Sequence, residues 1–162
     1  MRTLFASLRA WLWLALPWAA QEAAPGVPST SVKLDGAVKA PATYSMADLA
    51  ALPAAGITLT IQGHDAASGS WKGVPLMALI EKAGTVEDKG HGAYLQHVII
   101  ARGTDGYGVA IAIGEIEPKF EGKQVIVAYQ KDGAALPSLR LIIPGDAHAG
   151  RDVRDLAELT VK

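Results

Sequence analysis

The chain has 162 residues, of which 50% are hydrophobic and 19% are charged, and its formal net charge is -1. This length suits one domain with a packed core. The absence of a basic excess argues against nucleic-acid binding, because a phosphate backbone has to be neutralised by Lys and Arg. The chain contains no cysteine, which excludes disulfides, thiolate catalysis and thiolate metal ligands.

The first 24 residues are typical of an export signal. Arg2 and Arg9 flank a polar start, and an apolar run follows at 10–20. That run is too short to span a bilayer, which needs about 20 apolar residues, but it has the length of a signal-peptide core. Cleavage is possible after Ala20, Ala23 or Ala24, and an uncleaved amphipathic anchor is the alternative.

The remaining chain is expected to form one exported domain. Residues 25–30 are rich in Pro, Ser and Gly and predict a linker, so the folded domain is placed at 31–162.

The first half of the domain predicts short strands and two helices. Strands are expected at 31–34 and 57–62, because the second alternates apolar and polar residues. A helix is expected at 45–52, where Ser45 and Asp48 form a capping box and Pro53 ends it. After a loop at 63–73, a second helix is expected at 74–83, with Pro75 in its first turn and Gly84 just past its end.

The second half predicts strands separated by turns. These strands are expected at 96–102, 108–113, 125–130, 139–143 and 156–161. Six or more strands with two or three short helices define an α+β, mainly β domain. Regular alternation of strands with long helices is absent, which argues against a doubly wound nucleotide fold.

The first of three polar loops runs over 62–73. Gly63 lets the backbone approach a ligand closely, and Trp71 offers a flat face on which a heteroaromatic ring can stack. His64 and Asp65 supply polar contacts. The alternative is that Trp71 is a core aromatic and that His64 and Asp65 are a capping pair.

The second polar loop lies at 102–107, between two strands. Asp105 is a candidate acceptor for ligand N–H groups, and Tyr107 is a candidate wall of the site. The alternative is an ordinary hairpin turn at Asp105–Gly106.

The third polar region combines Arg140 with the loop at 144–154. Its candidate ligand-binding residues are Arg140, His148, Arg151 and Arg154. Forked guanidinium donors suit a carbonyl, a hydroxylated side chain or a phosphate. The alternative is local pairing on the surface with the neighbouring acids, which are Asp146, Asp152 and Asp155.

No metal-ligand spacing joins the four histidines, so a zinc site is not expected. Those histidines are His64, His91, His97 and His148.

The order of these motifs resembles the sulfite-oxidase-type molybdopterin-binding domain family over residues 32–162. The matching segments are Thr58–His64, Trp71–Leu76, Glu81–Gly84, Thr104–Tyr107, Gly133–Pro137, Arg140–Gly145 and Gly150–Arg154. The resemblance implies a fold of that type, with Arg140, Arg151 and Arg154 at basic positions that hold the cofactor.

The sequence departs from this family where its enzymes bind the metal. The family's molybdenum-ligating cysteine corresponds to Ile61, and a family histidine corresponds to Ala134 or Ala135. The resemblance therefore implies that the pterin half of the site is kept while the molybdenum half is lost.

Cysteine-free periplasmic proteins of this type are similar to pterin-binding regulators. That similarity implies a reduced pterin ligand, such as tetrahydromonapterin, and a partner that is the periplasmic domain of a membrane-bound cyclic di-GMP enzyme. The alternatives are a molybdenum-cofactor oxidoreductase with a non-cysteine ligand and a degenerate module that binds only protein.

Overall fold

The computed structural model describes residues 26–53, 56–62, 68–85 and 92–162. The predicted signal peptide at 1–24 and the predicted site residues Gly63, His64 and Asp65 lie outside these ranges. Within them, no helix has the length and apolar character needed to cross a membrane.

The described part of the chain contains nine strands and three short α-helices. The strands are β1 Ser31–Gly36, β2 Ala42–Ser45, β3 Ile57–Ile61, β4 Gly69–Pro75, β5 Val98–Gly103, β6 Gly108–Ala112, β7 Ile126–Lys131, β8 Ala134–Ile142 and β9 Leu156–Val161. The helices are α1 Met46–Ala51, α2 Leu76–Ala83 and α3 Ile113–Ile116, and 3-10 turns lie at Ala93–Gln96 and Ala149–Arg151. The domain is therefore mainly β, as the sequence predicts.

The strands form two sheets. The first has the order β2-β1-β9-β5-β6 and the second the order β3-β4-β7-β8. All neighbouring strands are antiparallel except β1 and β9, which run parallel and bring the two ends of the domain together.

The main core lies between the sheets and includes one face of α2. Val32 and Leu34 of the first sheet are fully buried with Leu139 and Leu141 of the second, and Leu79 of α2 joins the same cluster. Burying each such side chain contributes about 1.5–3 kcal/mol.

A smaller apolar cluster occupies the opposite face of the second sheet. Side chains alternate between the faces of a strand, so Ile126, Ala128 and Ile142 point away from the main core and pack with Trp71. We call these four residues the Trp71 cluster. Every member is wholly buried.

The first helix lies within one residue of its predicted bounds, and the second ends at Ala83 as predicted. The predicted start of the second helix at Val74 is wrong, because Val74 and Pro75 belong to β4 and the helix begins at Leu76. The Ser45 side chain accepts from the Asp48 N–H, and the Asp48 carboxylate accepts from the Ser45 N–H at 2.8 Å. Gly84 ends α2 with φ 65, a left-handed angle that favours glycine.

The predictions missed β2, β4 and α3. The most consequential omission is β4, since the sequence pattern predicts a loop over residues 69–73. This strand is paired on both sides, with β3 and with β7.

The predicted linker is hydrogen-bonded to the domain. Leu139 N–H donates to the Ser29 carbonyl at 2.8 Å, and the Thr104 hydroxyl donates to the Val27 carbonyl at 2.6 Å. Ser29 is only 8% exposed. Residues 27–30, within the predicted linker, are therefore hydrogen-bonded to the folded domain.

Candidate functional site

Trp71 lies on β4 at the centre of the candidate site. Its indole has no exposed surface. Two cations lie over it, with Lys131 Nζ 4.7 Å and Arg140 Cζ 5.1 Å from the ring centroid. Trp71 is therefore a core aromatic, which is the alternative that the sequence left open. In this conformation its ring faces are not accessible to a stacking ligand.

Arg140 is half-buried on β8 and shares the sheet face of the Trp71 cluster. Its register partner is Ala128. The Arg140 Nε atom is buried and finds no hydrogen-bond acceptor among the described residues. Burial is the main cause that lowers the pKa of this guanidinium, and the nearby charge of Arg154 acts in the same direction. A buried donor without an acceptor costs about 1–3 kcal/mol, so this position favours a ligand that brings an acceptor.

Arg154 reaches Arg140 through the pairing of the third loop with β8. Leu141 forms an antiparallel bridge with Val153. That bridge brings Arg154 beside Arg140, close enough for its charge to lower the Arg140 pKa, while Asp152 and Asp155 raise it. Two of the three predicted arginines therefore share a site.

The third predicted arginine, Arg151, is held elsewhere. Its Nε and Nη2 donate to the two carboxylate oxygens of Asp146, both at 2.7 Å, and its Nη1 donates to Glu115 at 3.1 Å. These contacts raise the pKa of Arg151. For Arg151 the structure therefore shows the alternative, pairing with acids, because its guanidinium nitrogens already donate to Asp146 and Glu115.

Lys123 completes this ion-paired cluster and was not singled out from the sequence. Its Nζ lies 3.8 Å from Glu115, 3.4 Å from Glu121 and 3.6 Å from Asp146. The cluster joins the segment after α3 to the loop at 144–151, and it fixes that loop against the domain. His148 of the same loop is exposed.

The second loop forms a hydrogen-bonded hairpin turn. Asp105 Oδ1 accepts from the Tyr107 N–H at 2.8 Å, and Gly103 N–H donates to the Tyr107 carbonyl at 2.9 Å. The Tyr107 hydroxyl donates to the Gly150 carbonyl. Asp105 thus directs one oxygen to its own turn, and Tyr107 ties the second loop to the third.

Ile61 ends β3 beside the Trp71 cluster. It pairs with Gly69 and packs against the cluster with Ile57 and Leu59. An apolar side chain therefore occupies this position. The nearby Ser68 Oγ is buried and has no hydrogen-bond partner among the described residues.

The sequence pattern gives no indication that Lys131 contacts Trp71. Lys131 faces Trp71 across the β4–β7 pair, 60 positions along the chain. No local pattern signals such a contact, since it depends on strand register.

The described residues contain no group of three or more His, Asp or Glu side chains that could hold a metal ion. The carboxylates of Asp152 and Asp155 also act on Arg140. The hydrogen-bond donors near Trp71 and Arg140 are two guanidinium groups, one ammonium and the Ser68 hydroxyl. Such a set suits carbonyl, ring-nitrogen or phosphate acceptors.

The family model described as the oxidoreductase molybdopterin binding domain matches residues 22–162. The chain therefore belongs to this family, whose members bind molybdopterin, a pterin-type ligand. No curated protein matches the chain.

Among solved structures, the sulfane dehydrogenase SoxCD from Paracoccus pantotrophus has a similar fold. The two share 21% sequence identity with a TM-score of 0.62, and the match covers 81% of this chain and 37% of the SoxCD chain. The chain thus spans a little over a third of the length of that relative, and the likeness concerns the fold alone.

The residues present fit the organic part of the family's cofactor and not a cysteine-held metal. The buried Arg140 Nε and Ser68 Oγ offer unused donors. Molybdenum would find no thiolate ligand anywhere in the chain, because the sequence contains no cysteine.

Proposed function

We propose that the protein is a periplasmic pterin receptor without redox activity of its own. The observation that carries the proposal is the complete lack of cysteine in a molybdopterin-binding domain. Ile61, which takes the place of the metal-ligating cysteine in the order of motifs, packs into apolar surroundings instead. The ligand half of the site keeps Arg140 and Arg154 together, whereas the metal half lacks a thiolate.

The proposed ligand is a reduced pterin such as tetrahydromonapterin. Its carbonyl and ring nitrogens are acceptors that the Arg140 Nε donor and the Arg154 guanidinium would satisfy. Since Trp71 is closed in this conformation, ring stacking at that residue requires the Lys131 or Arg140 side chain to move from the indole. The arginine pair is therefore the central element of the proposed site.

The proposed role is regulatory. By its similarity to cysteine-free pterin-binding regulators, the loaded protein contacts the periplasmic domain of a membrane-bound cyclic di-GMP enzyme. In that arrangement the pterin is a signal and the protein is its receptor.

Binding is tested by titrating purified protein with tetrahydromonapterin and following fluorescence quenching. We expect saturation at one equivalent, with affinity at least tenfold lower in Arg140→Gln. The matched control Lys33→Gln removes an exposed positive charge on β1 and leaves affinity unchanged. Absence of pterin uptake at micromolar concentrations overturns the proposal.

The metal is tested separately by elemental analysis of protein produced in a molybdenum-replete host. We expect no stoichiometric molybdenum, and one equivalent would instead favour an oxidoreductase. The regulatory role is tested by measuring cellular cyclic di-GMP in a strain lacking the gene. Wild-type protein is expected to restore the level and Arg140→Gln to fail.

A further inference from the structure

A second cleft lies between α2 and α3 and has a volume of about 380 Å³. It shares no lining residue with the Trp71 cluster. Its walls come from α2, the turn after α2, the 3-10 turn at Ala93–Gln96 and the end of α3. A volume of this size falls within the range of about 300–1,000 Å³ that is typical of small-molecule sites.

The inner surface of the cleft is apolar. Ile80 and Ile113 are buried members of the main core, and Met77 and Tyr94 pack against that core from the cleft side. This surface suits an aliphatic or aromatic body.

Glu117 is the buried charge of the cleft, with 8% exposure. Its backbone is fixed on both sides, because its N–H donates to Ile113 and its carbonyl accepts from Phe120, both at 2.9 Å. Among the described residues, its side chain has one long contact, from the Lys119 N–H to Oε1 at 3.4 Å. A carboxylate offers about four acceptor positions, so most of the acceptor capacity of Glu117, a residue of the cleft lining, is not used by the described residues.

Charge at the cleft favours a cation. Glu81 adds a second carboxylate at the rim. Lys39, the one cation among the described lining residues, is exposed, whereas Glu117 is buried. A buried carboxylate is costly unless it is paired, and a ligand cation would relieve that cost.

We propose that this cleft binds a small organic cation, in which an apolar body carries an amino, amidinium or guanidinium group. The body packs on Met77, Ile80 and Tyr94, and the cationic group donates to Glu117. This site is separate from the proposed pterin site.

The test uses benzamidine as the cationic probe and benzamide as its neutral counterpart of the same shape. Binding to the full chain is followed by NMR shifts and by calorimetry. We expect benzamidine to shift signals of Met77, Ile80 and Tyr94, and to bind at least tenfold more tightly than benzamide. Glu117→Gln, which keeps the side-chain shape, is expected to abolish that difference.

The matched control is Glu121→Gln, an exposed acid outside the cleft lining, and it leaves benzamidine affinity unchanged. Thermal unfolding of Glu117→Gln establishes that the variant is folded. Equal affinity for the two probes, shifts located elsewhere, or no benzamidine binding at millimolar concentration each overturn the proposal. Saturating tetrahydromonapterin does not compete with benzamidine, so the two proposals fail independently.

Discussion

Arg140 and Arg151 carry the same guanidinium group in opposite surroundings. Arg151 places three of its nitrogens on carboxylates, so its charge serves to hold the loop. Arg140 keeps a buried Nε without an acceptor among the described residues. A residue with a buried donor that lacks an acceptor destabilises the folded state, and it is therefore a better candidate for ligand contact than a residue whose donors are all hydrogen-bonded.

Replacing Arg140 with Met is expected to raise stability while weakening pterin binding. Met removes the unsatisfied donor, which costs about 1–3 kcal/mol, while the lost cation–π contact with the buried Trp71 ring is worth about 1–2 kcal/mol. We expect the free energy of unfolding to rise by up to about 1 kcal/mol in urea denaturation. A loss of stability would show instead that Arg140 is a structural residue.

Asp146 makes stability depend on pH in the acid range. Hydrogen bonds from Arg151 hold the pKa of Asp146 below its ordinary value near 3.8. A lowered carboxyl pKa contributes stability that is present above the unfolded-state pKa and is lost as pH falls through the folded-state pKa. We therefore expect this contribution to be complete above about pH 5, to decrease as pH falls through about 4, and to be lost only below the folded-state pKa, which lies under 3.8.

Asp146→Asn is expected to flatten that acid slope and to cost about 1 kcal/mol at neutral pH. The cost is set below the usual range for charged hydrogen bonds because Arg151 is 36% exposed and solvent screens the pair. Urea denaturation from about pH 3 to pH 7 provides the measurement. Glu121→Gln, at the exposed edge of the same cluster, is expected to keep the wild-type slope, and an unchanged slope in Asp146→Asn would contradict the assignment.

At the scale of elements, β4 shows what local pattern cannot predict. Its sequence contains Gly69, Gly73 and Pro75, which are poor strand formers. Pairing with β3 and β7 supplies the hydrogen bonds that make it a strand. The helix α1 and the end of α2 were predictable because the Ser45–Asp48 capping box and Gly84 are encoded locally. The start of α2 was not, because Pro75, predicted in its first turn, ends β4.

Gly73 is required where β4 pairs with β7. A Cβ at this position would lie 2.3 Å from the Val127 carbonyl oxygen and 2.8 Å from Ala128 Cα, and backbone atoms cannot give way cheaply. We expect Gly73→Ala to lower the free energy of unfolding by at least about 2 kcal/mol. The measurement is chemical denaturation.

Gly114→Ala is the matched control for this substitution. Nothing lies within 4 Å of the added Cβ, and Gly114 sits in α3. We expect this variant to be neutral or more stable by up to about 1 kcal/mol, because Ala favours a helix over Gly. Similar losses in both variants would contradict the steric explanation.

At the scale of the whole molecule, the candidate site was only partly predictable. Composition and motif order indicated the mainly β fold, the family and the basic residues. Arg140 and Arg154 lie together because of the bridge between Leu141 and Val153. Trp71 is buried because residues of four neighbouring strands pack around it. These are long-range contacts, and a local pattern contains no information about them.

The N-terminal segment at 26–30 tests how far the domain extends. Its carbonyls accept from Leu139, Thr104 and Met46, so it joins both sheets to α1. A chain that starts at Ser31 leaves the N–H of the fully buried Leu139 without its acceptor. We expect the free energy of unfolding to fall by about 2 kcal/mol relative to a chain that starts at Gly26.

Urea denaturation of the two truncated chains measures this difference. Val27→Ala in the longer chain is the control, because Val27 is 71% exposed and the substitution keeps the backbone carbonyl that Thr104 contacts. We expect that control to match the longer chain within about 0.5 kcal/mol. If the two truncated chains were equally stable, the segment would be a linker after all, because a buried N–H group that loses its acceptor has to destabilise the fold.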